Sequence, residues 1–177
     1  MEYGTLRVLL IEDEWSLREP LAKRLRDQYG YQVDPAADAK EAWKLIEGAE
    51  RPYDVALIDD LLIPEPNAEP EPIGIELMVR IRERHPETEC IIFTGWGMDR
   101  ALEALRAGAY RYLAKPLNLD ELGITIRMAA EQARLRWERD FLSTTLEISN
   151  AMLSGLDIER ILRVLKLQRC FSTLRKP

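Results

Sequence analysis

The residues able to do chemistry in this 177-residue chain gather at the ends of short apolar runs. Tyr53-Asp54-Val55-Ala56-Leu57-Ile58 leads into Asp59 and Asp60, and the run 6–11 leads into Glu12, Asp13 and Glu14. Two later runs end in Thr94 and in Lys115. If the acidic ends are neighbours in space, like charges about 4 Å apart repel by roughly 1 kcal/mol in water and roughly 4 kcal/mol at an effective dielectric near 20. Such a cluster must take up a proton or bind a cation. Oxygen-only donors at a water-accessible edge suit a hard ion, Mg²⁺ before Zn²⁺ or a softer metal. With phosphoryl oxygens screened by such an ion, a carboxylate can attack phosphorus while a lysine and a hydroxyl hold the oxygens. Each residue alone is an ordinary loop residue; only their convergence argues for chemistry.

The elements that must position them alternate along the chain. The run 6–11 reads as a strand, followed by an amphipathic helix over 17–28 with Leu17, Leu21 and Leu25 on one stripe. Pro20 is tolerable if it lies in or near the first turn, and Gly30 supplies a left-handed stop. A second strand over 31–35 precedes Asp38 and Glu41, whose spacing is that of a capping box, opening a helix to about 47 that turns Ala42, Leu45 and Ile46 inward. The third strand is apolar on both faces, so its acids fall at the C-terminal edge, where open parallel sheets form sites. The acidic, proline-rich stretch from Pro64 to Pro72 cannot be helical and reads as an extended, polyproline-like surface loop. Then come a helix over 74–84 with Ile75, Met78 and Ile81 inward, a strand over 90–93, a helix over 99–107 stopped by Gly108, and a strand over 110–113 before Ala114-Lys115-Pro116. Strands alternating with helices predict an α/β fold, a doubly wound five-stranded parallel sheet.

A fifth helix begins near Asn118, boxed by Glu121, and does not stop where a compact domain would end it. Ile126, Ala130, Ala133, Trp137, Phe141, Ile148 and Met152 keep a helical stripe up to Ser154-Gly155. About 35 residues at 1.5 Å each make roughly 50 Å of helix, longer than the sheet it packs on. The distal half must bury its stripe elsewhere, either folded back on the body or, as favoured here, in a coiled-coil-like homodimer, although Arg136, Arg139 and Asp140 interrupt a strict heptad. The expected division is a body over 1–130, a helical extension over 131–153, and a short helix and tail over 154–177.

The formal net charge is −6, and it is unevenly placed: 15 basic against 23 acidic residues through Leu117, and 10 against 8 beyond it. An acidic body does not favour nucleic acid. No run approaches the ~20 apolar residues of a membrane span, and no basic-then-apolar leader precedes the first strand, so the cytoplasm is the expected compartment. Cys90 reads as a strand-edge residue and Cys170 lies in the tail; neither a disulfide framework nor a metal knuckle is implied.

Taken together, these segments resemble the receiver domain of two-component response regulators, the CheY-like family. Leu9-Leu10-Ile11-Glu12-Asp13-Glu14 is similar to its acidic pocket motif and Tyr53 to Asp59 to its phosphoacceptor strand. Thr94-Gly95-Trp96-Gly97 is similar to its hydroxyl strand end, and Gly108 to Pro116 to its aromatic and Lys-Pro signature. The match covers roughly residues 5 to 130 in the family's order. The resemblance implies a (βα)5 flavodoxin-like fold and phosphorylation-dependent signalling. It implies a phosphoryl group accepted on Asp59 from a histidine kinase or phosphotransfer protein, and Mg²⁺ held by Glu12, Asp13 and Asp59. Lys115 and Thr94 would contact the phosphoryl group, and Thr94 and Tyr112 would move with the state. Pro116 would follow a cis peptide bond. Beyond self-phosphorylation from a phosphodonor and slow self-dephosphorylation, no enzymatic activity is expected.

One departure lies at the acceptor. The family's next proline falls four residues after the acceptor, whereas Pro64 lies five after Asp59 and four after Asp60. Counting forward from Tyr53 favours Asp59 and counting back from Pro64 favours Asp60. The forward count carries more weight, because the sheet sets strand length while loops absorb insertions. The sole histidine, His85, precedes Pro86 and reads as a surface turn residue, so the phosphoryl group must come from outside the chain. Residues 146–162 resemble the helices that open a GAF domain, but too few residues follow to fold one. The chain is then a truncated product, or its helix is itself the output. Two other readings compete: a phosphotransferase of the haloacid dehalogenase type, for which Glu12 and Glu14 are poor nucleophiles, and a receiver-like assembly module that is never phosphorylated.

Overall fold

The computed structural model describes residues 5–63, 69, 71–95 and 98–153. The element order is β1 (Arg7–Ile11), α1 (Trp15–Tyr29), β2 (Gln32–Ala36), α2 (Ala39–Glu47), β3 (Val55–Asp59), α3 (Gly74–Arg84), β4 (Glu89–Thr94), α4 (Met98–Arg106), β5 (Arg111–Ala114) and α5 (Leu119–Leu153). All strand pairs are parallel, in the order β2-β1-β3-β4-β5. The α/β doubly wound sheet expected from the sequence is therefore present. This order reverses direction between β1 and β3, which places a crevice outside their carboxyl ends.

Alternation along the strands builds two cores. Leu9, Ile11, Ala56, Ile58, Cys90 and Ile92 face one side, where α2 and α3 pack. Val8, Leu10, Val55, Leu57, Ile91 and Phe93 face the other, under Leu21 and Leu25 of α1 and Leu122 and Ile126 of α5. β1, β3 and β4 are buried on both faces, which is why they read as continuous apolar runs. Cys90 is the second residue of β4. It is fully buried in β4, and burial pushes its thiol up to about 12.

The caps follow the sequence closely. Gly30 ends α1 with φ 69°, in the left-handed region. Asp38 accepts from the N–H of Glu41 at 2.7 Å, while Glu41 reaches back to the N–H of Ala37 at 2.7 Å. Asn118 accepts from the N–H groups of Asp120 and Glu121. Pro20 departs from expectation: α1 starts at Trp15, so the proline stands a full turn inside the helix and removes one ladder bond there.

The chain divides into two compact units after Ala133. Within the first, α5 buries Leu122, Ile126, Ala129, Ala130 and Ala133. Its start is held by Tyr29 and Tyr31, stacked rings whose hydroxyls donate to the carbonyls of Leu119 and Gly123. Within the second, Trp137 stacks on Phe141 at 5.3 Å, while Leu135, Phe141, Leu142 and Leu146 are exposed. The stripe therefore continues as helix through Leu153, but Phe141 is not buried by this chain. The side chains of Ile148 and Met152 lie outside the described residues, as do the stretch 154–177, with it the later part of the span 146–162 that was compared with a GAF domain, and most of the proline-rich loop. The base of that loop is closed by an antiparallel bridge between Leu62 and Glu71.

Gly74, the first residue of α3, shows how tightly the fold holds the end of β3. Its N–H donates to the Asp60 carbonyl at 3.0 Å. A Cβ there would fall on the Asp59 carbonyl oxygen and 2.5 Å from the Asp60 Cα. Gly74→Ala must displace the Asp59-Asp60 peptide, and overpacking of this kind costs about 1–3 kcal/mol. Thermal or urea unfolding should report that loss, and a variant as stable as wild type would show that the peptide shifts freely.

Candidate functional site

At the crevice, β1, β3 and β5 deliver their terminal side chains to one point. Glu12 and Asp59 are 1% and 3% exposed, and Asp13 is half-buried. Ligand oxygens of Glu12, Asp13 and Asp59 lie within 4.8 Å of one another. Lys115 Nζ donates to Glu12 Oε2 at 2.8 Å and to Asp59 Oδ2 at 2.6 Å, with its charge 5.3 Å from the centre of the Phe93 ring. The Lys115-Pro116 peptide is cis, and the Lys115 N–H donates to the Thr94 carbonyl at 2.9 Å. Thr94 is fully buried at the end of β4, and Tyr112 is half-buried on β5 against the α2–α3 core.

The two aspartates part company. By strand alternation Ile58 faces the α2–α3 side, so Asp59 turns toward the α1–α5 side, where Lys115 reaches it. Asp60, 2% exposed, turns the other way and is gripped by Arg100 of α4 through Nε to Oδ2 at 2.7 Å and Nη2 to Oδ1 at 2.6 Å. Of the residues predicted for the site, Glu12, Asp13, Asp59 and Lys115 come together, Thr94 ends β4 beside Lys115, Tyr112 lies on the α2–α3 side near Asp60 and Arg100, and Asp60 is engaged elsewhere.

Burial dominates the electrostatics. Desolvation pushes the Glu12 carboxyl up to about 7, aided by the Asp59 charge and opposed by Lys115. Burial likewise raises Asp59, with Lys115 again opposing and the Asp13 charge adding to the rise. Burial acts to lower the Lys115 ammonium, but its hydrogen bonds to Asp59 and Glu12 outweigh this and hold it above the ordinary lysine value.

Three positioning residues were not singled out from sequence. Arg18 braces the turn after β1 by donating to the carbonyls of Glu12 and Asp13 at 2.7 and 3.0 Å. Gly74 is the second, and an opening glycine after a proline-rich stretch is a fair signal of close approach. Arg100 is the third, and nothing in its local sequence sets it apart from other helical arginines.

The family model for the response regulator receiver domain matches residues 8–127. The chain belongs to this family. It is a receiver domain of two-component response regulators, proteins that act as signal transducers, and the dehalogenase-type reading falls away. The chain is 30% identical over 154 residues to a putative NtrX-like response regulator of Rickettsia felis, covering 86% of this chain and 31% of that protein. It is 34% identical over 131 residues to the response regulator PilR of Pseudomonas aeruginosa, covering 73% of this chain and 26% of that one. The chain thus spans about a third or less of these relatives' length. Among solved structures, NtrX from Brucella abortus superposes with a TM-score of 0.66 at 28% identity, over 78% of this chain and 29% of that one. A CheY-like receiver domain from Methanospirillum hungatei superposes with a TM-score of 0.62 at 27% identity, over 75% of this chain and 99% of that one. No described helix is long and apolar enough to cross a membrane.

The raised Glu12 carboxyl fixes a sign for pH dependence. Its folded value of about 7 lies above the ordinary 4.5, so its contribution to stability is full below 4.5 and is lost as pH rises through 7. Metal-free protein should melt several degrees lower at about pH 8 than at about pH 5.5, and Glu12→Gln should narrow that gap. A thermal melt series would check this, and an unchanged slope in the variant would place the effect on another group.

Proposed function

We propose that Asp59 is the phosphoacceptor of this receiver domain. The observation that carries this reading is the division of the two aspartates: Asp59 shares Lys115 with Glu12 beside Asp13, whereas Asp60 is occupied by Arg100. In the proposed step an Asp59 oxygen attacks the phosphorus of a phosphohistidine on a histidine kinase or phosphotransfer protein. The phosphorus–nitrogen bond breaks, the imidazole leaves with its electron pair, and Asp59 becomes an acyl phosphate. Lys115 is placed to follow the phosphoryl oxygens, and Thr94 to supply a hydroxyl from the end of β4. Small phosphodonors could serve the same acceptor, and slow self-dephosphorylation would be the only hydrolytic activity.

The donor set fits Mg²⁺. Three carboxylates face one ammonium, all donors are oxygens, and burial has already made the anions costly. Glu12, Asp13 and Asp59 would hold the ion, which when bound would screen phosphoryl and carboxylate charge. His85 ends α3 with its Nδ1 3.4 Å from Glu87, in keeping with a surface turn residue.

The proposal extends to organisation. Residues 1–130 would form the receiver, 131–153 a helical extension and 154–177 a short helix and tail. The exposed Leu135, Phe141, Leu142 and Leu146 support pairing of two chains through the extension. A cytoplasmic setting and a body that does not itself bind nucleic acid are part of the same reading. A relative in Mycobacterium tuberculosis, of which the chain covers 45%, is the transcriptional regulatory protein TcrA, so a DNA-directed output of a longer assembly is compatible with it.

Mg²⁺-dependent binding of beryllofluoride, a mimic of the phosphoryl group, tests the acceptor. Asp59→Asn should weaken it at least about 100-fold, by ~2.7 kcal/mol or more, while Asp60→Asn retains it. Retention in Asp59→Asn would move the acceptor elsewhere, and failure of the wild type to bind would favour the assembly module. Light scattering of the full chain against one ending near Ala130 tests the pairing: the longer form should be a dimer and the shorter a monomer. Equal oligomeric states would remove the role of the extension.

A further inference from the structure

α4 is joined to the rest of the receiver by few apolar groups. Among its described side chains only Ala101 and Ala104 are buried, and Leu102 and Leu105 are 47% and 48% exposed. Against this thin apolar contact stands one concentrated polar one. Arg100 grips both oxygens of Asp60, donates through Nη2 to the Pro72 carbonyl at 3.0 Å, and is steadied by Glu103 one turn on at 2.7 Å. A single guanidinium therefore joins three segments: the end of β3, the residues just before α3, and α4. The Asp60 backbone is fixed as well, its N–H donating to the Phe93 carbonyl and its carbonyl accepting from Gly74.

We propose that Arg100 is a positioning residue that ties α4 to the acceptor end of β3 in the unphosphorylated form, and that this tie opposes phosphoryl acceptance at Asp59. The inference rests on Asp59 being the acceptor. An acyl phosphate there carries about −1.5 to −2 charges where the carboxylate carried at most −1, so negative charge grows on the residue next to Asp60. Asp60 is buried, so screening by solvent is weak, and the new charge acts against its carboxylate and draws on its guanidinium. Either effect loosens the grip on α4. Coupling between two sites is reciprocal, so a tie weakened by the phosphoryl group must in turn lower affinity for it. Breaking only one partner would strand a buried charge, so the informative variant removes both, as Asp60→Asn with Arg100→Gln.

The test pairs two measurements on the full chain. Hydrogen exchange read by mass spectrometry over residues 98–106, without ligand, should be faster in the paired variant than in wild type. Titration with Mg²⁺ and beryllofluoride should show its affinity raised about fivefold or more. In wild type, saturating beryllofluoride should itself speed exchange over the same residues. Wild-type exchange rates in the paired variant would overturn the tie. Faster exchange with unchanged or weaker beryllofluoride affinity would overturn its opposition to phosphoryl acceptance, leaving a purely structural bond. Should wild type bind no beryllofluoride, the acceptor assignment fails and the coupling with it, while the ligand-free exchange still reports whether Arg100 holds α4.

Discussion

The structure depends on one shared ammonium. Glu12 and Asp59 approach each other closely because Lys115 stands between them, at 2.8 and 2.6 Å, in a place from which water is largely excluded. Without it, two buried carboxylates would repel by several kcal/mol at a dielectric near 20. With it, one positive charge faces the carboxylates of Glu12, Asp13 and Asp59. Burial first, and like charge after it, raises the Glu12 and Asp59 carboxyls, and one ammonium offsets this only in part. A site in this condition favours whatever brings positive charge in, and Lys115 is already hydrogen-bonded to both buried carboxylates.

Holding such a cluster together is the task of the sheet. β1 and β3 are neighbours whose ends coincide in register, Ile11 beside Ile58, so Glu12 and Asp59 emerge side by side. β5 lies two strands from β3, and Lys115 spans the gap by running its stem past Phe93. The turn after β1 would be free to splay under the repulsion were its carbonyls not pinned by Arg18. The end of β3 is backed by Gly74, which admits no side chain at all. Strain from assembling like charges is thus met by backbone held at several points, not by the acidic residues themselves.

That division explains what could be read from the sequence. Apolar runs on strands buried on both faces, Gly30 at a left-handed stop and the Asp38–Glu41 box are local signals, and each stands where the pattern placed it. The convergence of Glu12, Asp13, Asp59 and Lys115 was legible because strand ends in a parallel sheet share an edge. The choice between Asp59 and Asp60 was not settled by counting, since an insertion after the strand shifts one count and not the other. Alternation settles their geometry: consecutive residues leave a strand on opposite faces, and Arg100 waits on one of them. Arg100 itself was illegible, because its partner lies 40 residues away and no periodicity links them.

The distribution of burial also says where movement can occur. β1, β3 and β4 are sealed on both faces, and displacing any of them would open the core. β5 is an edge strand with one buried residue, and α4 beside it offers two alanines to the interior. Local openings follow low apolar burial, so a change of charge at the end of β3 is relieved most cheaply through α4 and β5. Tyr112 lies on β5 within the electrostatic reach of Asp60 and Arg100, which act on its hydroxyl in opposite senses. The same two charges that fix α4 are therefore felt by the aromatic residue on the neighbouring strand. A change of charge at the end of β3 has a short physical path to the surface of the receiver, through Asp60 and the Arg100 guanidinium that holds it.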